Sequence, residues 1–304
     1  MKQMIFGLMA MLLVFTAAAQ PKRAKADVKK EKELVGTFVP IPEQSFTMQD
    51  VLEDGTLGPK TEYNLPGFYM LETEVTNKAY NLFLNDLKAQ GRTEDYEKAC
   101  FRSENWYTPN HHNEAARCYY DTYPAYELYP AVNVPYEGAL LFCQWLTEKV
   151  GNPEWEYVLP SQIDWTWAAA GGKGDVYSMG GPFLTAADGT PYYHYLHVDD
   201  AWITRTDSGF HVVDKHSGTI SNFIGSDIPY PAKSLRANDY GLYNMCGNVA
   251  EMVSNPNMAV GGSWLDPGYD IRIYSTKEYT QPSPQIGFRV IARKVEKEKV
   301  GGKK

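Results

Sequence analysis

Three glycine-bearing blocks near the C-terminus constrain this chain most. They are Gly241-Leu242-Tyr243-Asn244-Met245-Cys246-Gly247-Asn248-Val249-Ala250-Glu251, then Gly261-Gly262-Ser263-Trp264, then Gly287-Phe288-Arg289-Val290. Ahead of them, residues 171–235 are rich in Gly, Pro, Asp and aromatic residues and show no periodicity. So long an aperiodic stretch is unusual in a compact domain. The fold must therefore tolerate much irregular backbone.

Regular structure is expected earlier in the chain. Tyr80, Phe83, Leu84 and Leu87 recur at helical spacing after Thr76, a good N-cap, and Gly91 closes the segment. A helix is thus predicted from about Asn77 to Lys88. A second begins at Pro135 and ends before Gly151, with Leu140, Cys143 and Leu146 as its buried stripe. A third follows Ser161, whose pairing with Asp164 reads as a capping box, and stops at Gly171-Gly172. Short strands are expected near 36–40 and 65–71. An insertion rich in Tyr, Asn and His, about 91–130, separates the first two helices.

The first residues read as a targeting segment: Lys2, an apolar run from Ile5 to Thr16, then Ala17-Ala18-Ala19 before Gln20. The run is too short to span a bilayer comfortably, and no lipid-anchoring cysteine follows. Export to the periplasm or outer surface is the expectation, with residues 20–35 a charged linker, 36–293 one domain and 294–304 a basic tail. The net charge of −8 gives no electrostatic reason to bind nucleic acid. Cys100 and Cys118 flank one loop-like segment and are the pair expected to bridge, which would contribute about 3 kcal/mol. Cys143 and Cys246 read as buried apolar residues.

The three C-terminal blocks resemble those of the formylglycine-generating enzyme (sulfatase-modifying factor) family. Earlier pieces fall in the same order: Glu72-Thr73-Glu74-Val75-Thr76-Asn77, Pro130-Ala131-Val132-Asn133-Val134, and Leu159-Pro160-Ser161-Gln162-Ile163-Asp164-Trp165 before Ala168-Ala169-Ala170-Gly171-Gly172. The resemblance implies an α+β fold with low regular secondary structure, a variant of the C-type lectin-like domain. It also implies a calcium loop in which Asn244 and Glu251 give side chains and Gly247 and Val249 give carbonyls, hard oxygens of the kind calcium takes. Ser221-Asn222-Phe223 falls where the resemblance puts the family's second calcium site, but the loop after it is too short to return the second carboxylate.

The family's oxidases hold Cu(I) on two closely spaced thiols and use oxygen to convert a substrate cysteine to formylglycine. Here the stretch after Ser263 contains no cysteine, and the expected positions fall near Asp266 and Ile271. Soft thiolates suit Cu(I) and carboxylates do not, so copper and oxidase activity are not expected. Asp266, Asp270, Arg272 and Glu278 read as solvated charges in a degenerate site. Two further groups have metal-ligand residue types: His111-His112 beside Glu114, and His194 with His197, Asp199 and Asp200. The first reads as a decorated loop, and the second lacks the helical context its spacing needs.

The sequence thus reads as an exported, non-catalytic binding or scaffold protein with a protein partner in the cell envelope. Gly67 to Asn77 is similar to gliding-motility and type IX secretion relatives of the family. Trp106, Tyr107, Tyr119, Tyr120, Tyr123, Tyr126 and Tyr129 offer an aromatic interface; the alternative is that they pack the insertion onto the core. Two other readings stand beside this one: an enzyme of altered chemistry, and a calcium-dependent carbohydrate- or peptide-binding module.

Overall fold

The computed structural model describes residues 22–51, 57–108, 111–112, 114–173, 176–196, 203–205, 211–213 and 228–295. The targeting segment at 1–19, the Ser221-Asn222-Phe223 stretch, His197, Asp199, Asp200 and residues 296–304 of the basic tail lie outside them.

The chain opens with α1 (Lys25–Leu34), then β1 (Phe38–Ile41), a hairpin of β2 (Gln44–Val51) and β3 (Leu57–Leu65), and β4 (Phe68–Leu71). Helices α2 (Asn77–Ala89) and α3 (Thr93–Ala99) follow. The insertion holds the short strands β5 (Tyr107–Thr108) and β6 (His111–His112) and helix α4 (Glu114–Tyr119). Next come α5 (Tyr136–Val150), β7 (Trp155–Val158) and α6 (Gln162–Ala170). A second small hairpin pairs β8 (Ile203–Arg205) with β9 (His211–Val213). The C-terminal third supplies β10 (Ala250–Met252), β11 (Met258–Val260), β12 (Thr276–Glu278), β13 (Ile286–Phe288) and β14 (Ile291–Lys294).

Two four-stranded sheets organise these pieces. One has the order β1-β4-β14-β7 and is antiparallel throughout, so the last strand lies between two early ones. The other has the order β12-β11-β10-β13, with β10 and β13 parallel and Glu251 opposite Gly287. Among the described residues no helix is long and apolar enough to cross a membrane.

The helix predictions hold in their local detail. Thr76 caps α2 by accepting from the Ala79 amide. Its apolar face, Tyr80, Phe83, Leu84 and Leu87, is buried, and Tyr80 packs against the rings of Phe83, Phe101, Phe142 and Phe288 at 5.0–5.9 Å. Each such side chain contributes about 1.5–3 kcal/mol on burial. The Ser161–Asp164 capping box forms in both directions, and Gly171 ends α6 in the left-handed region. Pro135 is the N-cap of α5, one place earlier than expected. Leu140 is exposed; the buried face of α5 is Phe142, Cys143, Trp145 and Leu146.

Two expectations are corrected. Residues 25–34 are not a linker but helix α1, held by Glu31, which is buried against Arg23 and the Tyr157 hydroxyl. A charged segment folded because its few tertiary contacts outweigh a weak apolar pattern. The Cys100–Cys118 bridge is absent: all four cysteines are free thiols. Cys100 ends α3, where its Sγ lies 2.8 Å from an Arg102 guanidinium nitrogen and 3.4 Å from the Glu97 carbonyl, while Cys118 is exposed on α4.

Candidate functional site

The family blocks converge on one buried polar cluster beneath the second sheet. Asn244 and Asn248 both adopt positive φ, at 54° and 60°, a conformation asparagine tolerates better than most residues. That turn aims both amides at Glu74. Asn248 Nδ2 donates to Glu74 Oε1 at 2.8 Å, and Asn244 Nδ2 to Glu74 Oε2 at 3.3 Å and to the Ala232 carbonyl at 2.9 Å. Burial pushes the Glu74 carboxyl up to about 8, against the pull of Arg289 and with the repulsion of Glu251.

Asn248 is the joint of the cluster. Its backbone amide donates to the His194 carbonyl at 2.7 Å, its carbonyl accepts from Trp264, and its Oδ1 accepts from the Tyr230 amide at 2.7 Å. The His194 ring stacks on Tyr230 at 3.8 Å and its Nε2 lies 3.2 Å from the Ile228 carbonyl. Its Nδ1 is buried without a partner, and burial pulls the imidazole down to about 4.

Glu251 lies on β10 and Arg289 one residue beyond β13. The guanidinium donates to both Glu251 oxygens, through Nε at 3.0–3.2 Å and a terminal nitrogen at 2.7 Å. Its remaining donors reach the Leu71 and Tyr243 carbonyls at 3.0 and 2.7 Å. Trp165 on α6 donates its indole N–H to Glu251 Oε2 at 2.7 Å. Gly261 makes room for that indole: a Cβ there would sit 2.7 Å from two Trp165 ring carbons, and φ is +82°.

The four residues expected to hold calcium are therefore present in one loop. Asn244 spends its Nδ2 on Glu74 and Ala232, and the remaining oxygens of the set are its Oδ1 and the carbonyls of Gly247 and Val249. Those three are hard neutral oxygens of the type calcium takes. Glu251 is the only carboxylate of the set, and its charge already faces Arg289. The donor set suits a hard cation, with a shared carboxylate that makes for weak binding. Among the described residues no group of three or more His, Cys, Asp and Glu stands ready for a metal.

The positions expected for the copper-binding thiols look different. Ile271 is fully buried in the core. Asp266 caps its own turn: its Oδ2 accepts from the Ser263 amide at 2.8 Å and the Ser263 hydroxyl at 2.6 Å. Lys277 on β12 then pairs with Asp266 at 2.7 Å and donates to Gln285. Arg272 is half-buried and stacks over Tyr269 at 3.6 Å. The residues present do not fit Cu(I): an aspartate held by a lysine and an apolar side chain offer no soft ligand. The nearest family-block thiol, Cys246, is buried, and burial pushes it up to about 12.

The insertion divides in two. Trp106 and Tyr120 are buried with Val132, Val249 and Trp264, so this part of it buttresses the polar loop. Tyr126 and Tyr129 pack against that cluster. Tyr119, Tyr123 and Leu128 instead stand 55–57% exposed, and Leu82 on α2 is 42% exposed. Beside them runs an open groove of about 1010 Å³ along α2, walled by Leu34, Tyr96, Tyr123 and Leu128. His111 and His112 pair in register with Thr108 and Tyr107.

Sequence reasoning assigned no role to Lys277, Gln285, Arg289, Trp165 or Glu74. Arg289 carried a signal, as the charged residue of the otherwise apolar block Gly287-Phe288-Arg289-Val290, and Glu74 and Trp165 carried one only as members of family blocks.

A mixed helix-and-sheet domain with this loop and this buried pair belongs to the formylglycine-generating enzyme class of folds. Residues 24–294 match the family model for the sulfatase-modifying factor enzyme 1-like domain, and the chain is a member of that family. It is 28% identical over 147 residues to the inactive C-alpha-formylglycine-generating enzyme 2 of Bos taurus, covering 45% of this chain and 39% of that protein. It is 23% identical over 242 residues to the formylglycine-generating enzyme of Mus musculus, covering 72% of this chain and 58% of that one. The chain thus spans less than two thirds of either relative. Among solved structures, PvdO from Pseudomonas aeruginosa superposes with a TM-score of 0.55 at 19% identity, covering 85% of this chain and 94% of that one. That likeness concerns the fold.

Proposed function

We propose that this protein is a non-catalytic, exported member of the family that works by binding a protein partner in the cell envelope. The observation that carries this reading is the fate of the thiol positions: Asp266 is locked to Ser263 and Lys277, and Ile271 is core. Likeness to an inactive relative supports it. The exposed Tyr119, Tyr123 and Leu128 beside the α2 groove supply the binding face. The resemblance of Gly67 to Asn77 to gliding-motility and type IX secretion relatives is what supports a partner within such a machine. Calcium, held by Asn244, Gly247, Val249 and Glu251, would fasten the loop under this face at millimolar concentration, as weak extracellular sites do.

The test is to supply the purified protein with Cu(I), oxygen and a cysteine-bearing sulfatase-type peptide, and to follow the peptide by mass spectrometry. An unchanged peptide is expected. Formylglycine would overturn the non-catalytic reading and favour an enzyme of altered active site.

A further inference from the structure

The face of the first sheet that packs on the main core carries four aromatic side chains in two edge-to-face pairs. Phe38 meets Tyr157 at 5.6 Å and Tyr69 meets Trp155 at 5.7 Å. The guanidinium of Arg23 lies among them, 4.9–5.9 Å from all four ring centroids. Glu31 on α1 closes the box by pairing with Arg23 and accepting from the Tyr157 hydroxyl. Arg23 also donates to that hydroxyl at 2.8 Å.

The Arg23 side chain is 3% exposed, yet Lys22 and Ala24 on either side are exposed. Helix α1 starts only at Lys25. The arm is thus pinned by one inserted side chain. The fit is incomplete, since Arg23 Nε is buried without a partner. Aromatic faces with one carboxylate select a planar, weakly hydrated cation, so a guanidinium suits this box better than an ammonium.

We propose that this box is a guanidinium-recognition site that the chain plugs with its own Arg23, and that it takes the arginine side chain of a partner segment when the arm is withdrawn. The site lies apart from the Glu74–Glu251 cluster and does not depend on the oxidase question. It also reaches the groove, because Leu34 and Val35 at the end of α1 line that groove. Withdrawing the arm removes the ion-pair partner of Glu31, leaves it only the Tyr157 hydroxyl, and loosens one wall.

The experiment compares the full chain with its Arg23→Ala variant. Each is titrated to about 20 mM with methylguanidinium or methylammonium, a range that suits millimolar binding by so small a fragment. Intrinsic tryptophan fluorescence and Tm are read together. Arg23→Ala should show a saturable change with methylguanidinium and recover lost Tm, with methylammonium about tenfold weaker. The tripeptide Ala-Arg-Ala should act like methylguanidinium and Ala-Lys-Ala should not. The unsubstituted chain should respond to none of them. If Arg23→Ala does not fold, Arg23→Lys keeps a poorer cation in the box, and its Tm should rise with methylguanidinium. No saturable response in either variant, or equal response to both cations, overturns the proposal.

Discussion

Arg289 and Glu251 meet at 2.7 Å with neither side chain exposed, and the pair ties together parts of the chain distant in sequence. The guanidinium holds the Leu71 carbonyl at the end of β4 and the Tyr243 carbonyl before the polar loop. The carboxylate holds Trp165 on α6. A buried pair is retained at a desolvation cost, so its value lies in the donors and acceptors it satisfies.

Removing one partner leaves the other charged and unpaired in the interior. Glu251→Gln or Arg289→Met should each destabilise by about 3–5 kcal/mol in urea unfolding. The double variant should lose less than the sum of the two. Additive losses would show that the residues act separately.

The free thiols make a separate prediction. In the native chain, Cys118 and Cys100 should react with an aromatic disulfide reagent, Cys118 faster. Cys143 and Cys246 are buried, and burial raises both thiols well above the usual range, so they should react only on unfolding. Two reactive thiols before denaturation and four after is the expected count. None before and two after would restore the Cys100–Cys118 bridge.

His194 sets a pH response. Burial lowers its folded-state value to about 4, below the ordinary 6.5. The folded chain therefore binds fewer protons than the unfolded one between those values, and the neutral-ring stability present above pH 6.5 drains away as pH falls toward 4. His194→Phe keeps the stack on Tyr230 and should flatten that part of the stability profile. An unchanged slope would assign the acid sensitivity elsewhere.

Calcium should raise Tm only at millimolar concentration. Occupancy at about ten times Kd adds about 1.4 kcal/mol. Asn244→Ala should abolish the response while leaving the Glu251–Arg289 pair in place. A Tm indifferent to both calcium and chelator would remove the loop from the list of cation sites.

What the sequence disclosed was what its neighbours in sequence decide. Thr76, the Ser161–Asp164 box and Gly151 act within a turn of themselves, so α2, α5 and α6 were readable. The loop from Asn244 to Glu251 was readable as a family block. Trp165 was not, because it reaches Glu251 across 86 residues, and Lys277 and Gln285 were not, because they look solvated until the turn at Asp266 meets β12. Helix α1 was hidden for the same reason: its charged residues look solvated until Glu31 meets Arg23 and Tyr157. The Tyr-rich insertion split into a buried and an exposed half because aromatic content reports neither direction.

The binding face is the central claim, and one comparison tests it most directly. The tagged protein and its Tyr119→Ala/Tyr123→Ala/Leu128→Ala variant are used side by side to capture partners from a cell-envelope fraction, with Tm measured on both. The account predicts a stoichiometric partner retained by the first and lost by the second at equal Tm. Equal capture by both proteins, or a variant that has lost stability rather than the partner, would contradict it.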